Sequence, residues 1–261
     1  MTNQKIWDIA LKQSAYDCNC CPEDFLQKEN KVVISGADDR ARVYLPKPLE
    51  CDLVSYGSNI VASVKAELVG EISNYINRYP VEHCFETPNI YALNDCLAPY
   101  GLKVCFMAEY FLPDMERLKA LPCLWPLKLL YPQDFKDLYN GQWNNALCLE
   151  RMERDVLAMG AYKDGRLIGL AGASADCSEM YQIGIDVLPE FRHKGVASAL
   201  ISRLAVEIVR VGKVPFYCAA WANIKSVRSA LKCGFKPAWV EMTARRHEFV
   251  KSLYLERPKE D

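Results

Sequence analysis

The sequence predicts an α/β (α+β) chain built in two parts. Short runs rich in β-branched and aromatic residues alternate with amphipathic helical stripes, and turn dipeptides punctuate them at short intervals. A proline-rich passage divides the chain near its middle. Its 261 residues, 51% hydrophobic and 25% charged, suit a globular protein with length for two modest domains, expected at 1–125 and 126–261.

In the first half, Val32–Ser35 and Ala41–Leu45 read as strands around the polar turn Gly36-Ala37-Asp38-Asp39-Arg40. The passage Val54–Asn59 reads as a strand joined to a helix. Ser63–Tyr79 reads as an amphipathic helix, because Val64, Leu68, Ile72 and Ile76 fall on one stripe. Asn89-Ile90 opens a second helical stretch that closes at Gly101-Leu102. Pro113, Pro122, Pro126 and Pro132 then interrupt helix formation and restrict the residues before them, which predicts a linker around residues 112–130.

The second half is more regular. Val156–Tyr162 and Arg166–Ala173 flank Lys163-Asp164-Gly165, a strong hairpin signal. Met180–Val187 reads as a third strand, stopped by Pro189, which cannot donate to a ladder. After Gly195 a helical stripe runs through Ala197, Leu200, Ile201, Leu204, Ala205 and Ile208, with Ser202, Arg203, Glu207 and Arg210 on the other face. Phe216–Trp221 is a short strand, followed by a helix ending at Cys233-Gly234-Phe235 and a last strand, Phe235–Thr243. Asn223 or Ser226 can cap the start of that helix, and Gly234 is placed as its C-terminal glycine.

Chemistry concentrates in Val187-Leu188-Pro189-Glu190-Phe191-Arg192-His193-Lys194-Gly195-Val196-Ala197, a strand end that passes through a basic turn into a helix. The first N–H groups of a helix lack intrahelical partners and lie at the positive end of its dipole, so an anion there meets donors already aimed at it. Gly195 lets the backbone approach that anion, and Arg192 and Lys194 add charge. The same string also suits an ordinary strand-to-helix turn with solvated basic residues.

Arg192-x-x-Gly195-x-Ala197, preceded by Val187-x-Pro189, resembles the signature of the GNAT superfamily of N-acetyltransferases: Arg or Gln, two residues, Gly, one residue, then Gly or Ala. The order β-β-β-α-β-α-β is similar to the later part of the GNAT fold, over about residues 127 to 250, and implies a mixed, mostly antiparallel sheet in the second half. The resemblance implies acetyl-coenzyme A as co-substrate, its pyrophosphate held by Arg192, His193, Lys194, Gly195, Val196 and Ala197. It further implies that Asn223 and Ser226 contact the pantetheine arm or phosphates, and that Ile185 and Val187 present main-chain groups from a splayed strand. The whole chain is similar to tandem or N-terminally extended bacterial members of the zwittermicin-resistance type. Asn89-Ile90 to Gly101-Leu102 echoes Asn223-Ile224 to Gly234-Phe235, yet no Arg-x-x-Gly-x-Gly/Ala occurs in the first half. A degenerate GNAT-like repeat and an unrelated, smaller α/β domain both fit.

The implied reaction moves an acetyl group from acetyl-coenzyme A to a primary amine of a small molecule, by direct attack in a ternary complex. The alternative is a non-catalytic acyl-coenzyme A-binding sensor. Acid–base candidates are Glu179, Asp186 and Tyr217. Many family members carry a tyrosine four residues before the glycine of Gly-Phe, where this chain has Ala230, so the thiolate takes a proton from Tyr217 or water, or leaves as an anion, or the enzyme is slow. Cys218 and Cys233 have no neighbouring histidine to activate them, and the twelve scattered cysteines of a long chain read as reduced thiols. Cys18-x-Cys20-Cys21 lacks a second pair, and His83 and His247 stand alone, so no metal is expected.

Charge is uneven: residues 1–125 carry 12 Lys+Arg against 17 Asp+Glu (−5), and residues 126–261 carry 20 against 16 (+4). The basic half is the half with the proposed coenzyme site, but no concentrated nucleic-acid stripe is present. Neither a long apolar run nor the apolar core of a signal peptide occurs, so a cytoplasmic protein without membrane or nucleic-acid partners is expected. The acceptor would be set by residues 173–178, the surface of the first half and residues 245–261. The sequence leaves the oligomeric state open.

Overall fold

The structure, a computed structural model, describes residues 1–255. In chain order its elements are α1 (Asn3–Cys18), β1 (Lys31–Ile34), β2 (Cys51–Ser55), β3 (Val61–Val64), α2 (Val69–Ile76), α3 (Asn89–Leu97), β4 (Leu102–Pro113), β5 (Leu127–Leu130), β6 (Asp155–Lys163), β7 (Arg166–Ser174), β8 (Met180–Val187), α4 (Val196–Arg210), β9 (Val214–Ala220), α5 (Ile224–Lys232), β10 (Phe235–Arg246) and α6 (His247–Leu255). They form two compact units, each discontinuous in sequence. One is Met1–Ala10 with Tyr110–Ala238, and the other is Leu11–Glu109 with the residues from Trp239 onward. β10 begins in the first of these units and ends in the second, where its residues Val240–Ala244 pair with β2. No helix among the described residues is long and apolar enough to cross a membrane.

In the unit that holds Tyr110–Ala238, β5, β6, β7 and β8 make an antiparallel meander and β9 joins β8 in parallel. The expected β6–β7 hairpin closes through two residues, Asp164 (φ 51°) and Gly165 (φ 80°), with Lys163 facing Arg166. Both left-handed positions match the twist that such turns need. Val196, Leu200, Ile201, Leu204, Ala205 and Ile208 of α4 are each at most 1% exposed. Burial of each large side chain among them contributes about 1.5–3 kcal/mol relative to exposure. The stripe differs from expectation at two places. Ala197 is half-buried while Val196 takes the interior position. Ser202, expected on the outer face, is fully buried, because its hydroxyl is satisfied: it donates to the Ala199 carbonyl and accepts from the Leu121 N–H at 3.0 Å.

In the other unit the sheet runs β1-β3-β2-β10-β4, with β1 and β3 parallel and the β3–β2 and β2–β10 pairs antiparallel. Cys51, Leu53, Ala62, Val64, Met242 and Ala244 form one core with Leu68, Ile72 and Ile76 beneath α2 and with Leu93 and Leu97 of α3. The helix expected over Ser63–Tyr79 therefore starts late. Ser63 and Val64 end β3, and only the stripe from Leu68 onward is helical. Val54–Asn59 leads into β3 and not into a helix, whereas α3 does close at a left-handed Gly101 (φ 68°) before β4, as α5 closes at Gly234 (φ 87°) before β10.

Ala41–Leu45 is not a strand but a turn, closed by Ala41 N–H to Asp38 and Leu45 N–H to Arg42. The reason is Arg42, which enters the interior and donates to Asp17 (2.6 Å) and Glu241 (3.0 Å). Burial pushes the Asp17 carboxyl up while the Arg42 guanidinium holds it down. Asp52, paired in register with Ser63 and Thr243, stands on the same sheet face as Glu241, and burial followed by Glu241 pushes its carboxyl up to about 8.

Candidate functional site

The site begins where two parallel strands part. β8 and β9 pair only through Met180–Val214, Tyr181–Pro215 and Gln182–Phe216, after which no register joins them. The direction of the main-chain groups beyond that point follows from strand alternation. Leu188 N–H donates to Ile168 O (3.0 Å), so even-numbered residues turn their polar groups to β7, and Val214 N–H donates to Glu179 O (2.9 Å), so odd-numbered ones turn theirs toward β9. Past the fork, Ile183, Ile185 and Val187 consequently direct N–H and C=O groups into the gap. The Val187 carbonyl takes a hydrogen bond from Arg192 Nε (3.0 Å).

A single helical turn, Pro189–Phe191, links β8 to the basic segment. His193 (φ 61°) and Gly195 (φ 83°) are both left-handed, and Gly195 is the residue from which α4 starts. Among the described residues no backbone carbonyl accepts from the N–H groups of His193, Lys194 or Gly195. A Cβ added to Gly195 would find no atom within 4 Å. Arg192, His193 and Lys194 are exposed, and Phe191 below them is buried, edge-on to Trp125, with the Lys194 and Lys163 ammonium groups 5.6 and 5.7 Å from its ring. Open amides, a helix dipole and three basic side chains are the features that favour an anion at a helix start.

Beyond β9, Asn223 caps α5 by accepting from Ser226 N–H (3.2 Å). Tyr217 of β9 is 3% exposed; burial pushes its hydroxyl pKa up, opposed by a side-chain hydrogen bond with Ser226. The fold thus brings Tyr217, Asn223 and Ser226 together. Cys218 is half-buried at the root of the fork and accepts from Gln182 Nε2 (3.3 Å). Cys233 donates to the Ser198 carbonyl, and burial pushes its thiol up to about 12.

The two carboxylates behave differently. Glu179 is exposed at the paired end of β8, about 20 Å along the strand from Ile185 at ~3.3 Å per residue, so it does not join the others. Asp186 accepts three hydrogen bonds, from Asn145 N–H (2.9 Å), Asn145 Nδ2 (2.7 Å) and Ala146 N–H (2.9 Å). Sequence reading missed this partner segment. It also missed Asp155, which accepts from Tyr139 Oη (2.9 Å), Ser174 Oγ (2.8 Å) and Cys148 N–H (2.8 Å), and which burial pushes up. No local pattern marks either network, since the partners of Asp186 lie about forty residues away.

Residues 119–235 match the family described as Acetyltransferase (GNAT) family, and this stretch has the GNAT fold. No curated protein matches the chain. Among solved structures it is similar to a GCN5-related N-acetyltransferase-like protein from Streptococcus suis (18% identity, 61% of this chain and 69% of that one, TM-score 0.44). It is also similar to a tandem GNAT protein from the clavulanic acid biosynthesis pathway (15%, 59% and 57%, TM-score 0.43) and to an aminoglycoside N-acetyltransferase in complex with coenzyme A (23%, 42% and 91%, TM-score 0.35). The chain spans about two thirds of the length of the first structures it matches.

Proposed function

We propose that the protein transfers an acetyl group from acetyl-coenzyme A to a primary amine of a small molecule, by direct attack in a ternary complex. The observation that carries this reading is the fork between β8 and β9, where Ile185 and Val187 have no strand partner on the β9 side, with the open amides of the α4 turn at its mouth. The residues present fit the coenzyme. Arg192 to Ala197 would hold the pyrophosphate, Gly195 being free of any neighbour that a bulky anion would have to displace. Ile185 and Val187 would bind the pantetheine arm and orient the acyl carbonyl, and Asn223 and Ser226 would border the arm.

When bound, acetyl-coenzyme A supplies an activated carbonyl with a thiolate leaving group. Tyr217 holds a proton on its buried Oη, kept there by burial, and is the proposed donor to that thiolate in the place of the tyrosine replaced by Ala230. Glu179 is too remote to act as base, and both oxygens of Asp186 are engaged, so the proton of the amine passes to water. This account takes the protein to work in the cytoplasm without metal, membrane or nucleic acid.

Ala230 favours one other reading, a coenzyme A-binding sensor that does not turn over. Thiol release from acetyl-coenzyme A across a panel of primary amines separates the two. Turnover that falls about a hundredfold in Tyr217→Phe with coenzyme A affinity kept supports the enzyme. Binding without thiol release from any amine supports the sensor.

A further inference from the structure

We propose that Asp186 is a positioning residue: together with a glycine pair on β7 and β8, its carboxylate holds the Asn145–Ala146 turn as the wall beside which the acceptor amine enters the fork. The proposal deepens the acetyl-transfer reading above and rests on it for the identity of the acceptor.

Residues paired across antiparallel strands share a face of the sheet. Gly172 of β7 pairs with Gly184 of β8, so two adjacent positions on one face carry no side chain. A Cβ on Gly172 would lie 1.7 Å from the Ala146 carbonyl oxygen, and one on Gly184 would lie 1.7 Å from that of Asn145. Those distances are far below contact, so no other residue fits at either position while the turn stays where it is. The main chain of the turn lies directly on the sheet, where a layer of side chains would ordinarily separate them.

Asp186 stands two residues beyond Gly184 and so on the same face. It accepts from the N–H groups of the same two residues whose carbonyls press on the glycines. Carbonyls and amides of Asn145 and Ala146 are thereby both fixed by β7 and β8, and the Asn145 side chain adds a third bond to Asp186. Trp143, Ala146 and Leu147 are buried around this contact.

The face decides what the wall borders. Gly169 pairs with Val187 on the opposite face, where an added Cβ would meet Val196 Cγ1 (2.9 Å) and Leu200 Cδ1 (3.1 Å) of α4. The helix proposed to take the pyrophosphate thus covers one side of β7 and β8, and the Asn145 turn covers the other. Gln182 pairs with Phe216, which puts Gln182 and Cys218 on the turn's side, where they meet at the root of the fork. An amine that arrives opposite the coenzyme passes Asn145, Gln182 and Cys218. A carboxylate saturated by three N–H donors serves there to hold a shape, not to take a proton.

The test compares wild type with Asp186→Ala, Asp186→Asn and Asn145→Ala, the last of which removes one bond and spares the sheet. Expected in Asp186→Ala is a rise of about tenfold or more in KM for the best amine of the panel, with coenzyme A affinity by calorimetry within about twofold. Asn145→Ala should show a smaller rise in the same direction, and Asp186→Asn should fall between the two. Faster amide exchange confined to peptides over residues 140–150 should accompany the change. An unchanged amine KM in Asp186→Ala, or coenzyme A affinity falling in parallel, would overturn the proposal, as would unchanged exchange over 140–150. If the wild type releases thiol with no amine, the catalytic reading fails while the exchange result still decides whether Asp186 holds the turn.

Discussion

Gly195 allows the cost of a backbone conformation to be separated from the cost of blocking a site. Its φ of 83° is left-handed, so any side chain there costs about 1–2 kcal/mol, a loss that a domain with roughly 5–15 kcal/mol of stability survives. No atom lies within 4 Å of an added Cβ, so no steric term is added. Gly195→Gln and Gly195→Glu carry the same strain and nearly the same bulk, but only Glu brings a negative charge to the proposed pyrophosphate position. Each added charge pair at about 4 Å is worth between ~1 and ~4 kcal/mol, depending on how far water screens it. Coenzyme A affinity is therefore expected to fall by about a hundredfold or more from Gln to Glu, by an amount that shrinks as salt is raised. Chemical denaturation checks that both variants fold, and calorimetry with coenzyme A at two ionic strengths reads the affinities. Equal affinities in two folded variants would refute the placement of the phosphates.

Two further outcomes are expected. Asn223→Ala removes the side chain that caps α5 and should cost about 1 kcal/mol in urea unfolding; no change would show that the 3.2 Å bond to Ser226 carries no stability. Asp52, pushed up to about 8 in the folded state, binds its proton more tightly folded than unfolded, so its contribution to stability is full below the unfolded value near 4 and is lost as pH rises toward 8. Over that interval it should lower wild-type stability by roughly 1.4 kcal/mol per pH unit. Asp52→Asn should gain on the wild type between pH 5 and pH 8, and an identical stability difference at both pH values would contradict the assignment.

Much of the site was legible because its signals are local. The Asp164-Gly165 hairpin, the strand stop at Pro189, the stripe of α4, the Asn223 cap and the closing Gly234 each depend on residues within a few positions of one another. What escaped depends on contacts made through space. The run Ala41–Leu45 suggested a strand, but Arg42 reaches Glu241, 199 positions away, and that buried ion cluster bends the chain into a turn. Nothing adjacent in sequence marks Gly172 and Gly184 as the floor on which the Asn145–Ala146 main chain lies. Asp186 resembled a possible base for the same reason, since nothing adjacent in sequence reveals three donors from the turn. α1 went unforeseen, and of the stretch expected to shape the acceptor site, residues 256–261 lie outside the described residues.

Amide hydrogen exchange with and without coenzyme A is the most direct measurement of whether the parted strands and the head of α4 form one coenzyme site. Slower exchange at His193–Ala197 and at Ile185 and Val187 when coenzyme A is added is the predicted result. Coenzyme A binding that leaves those amides unchanged, or no binding at all, would contradict it.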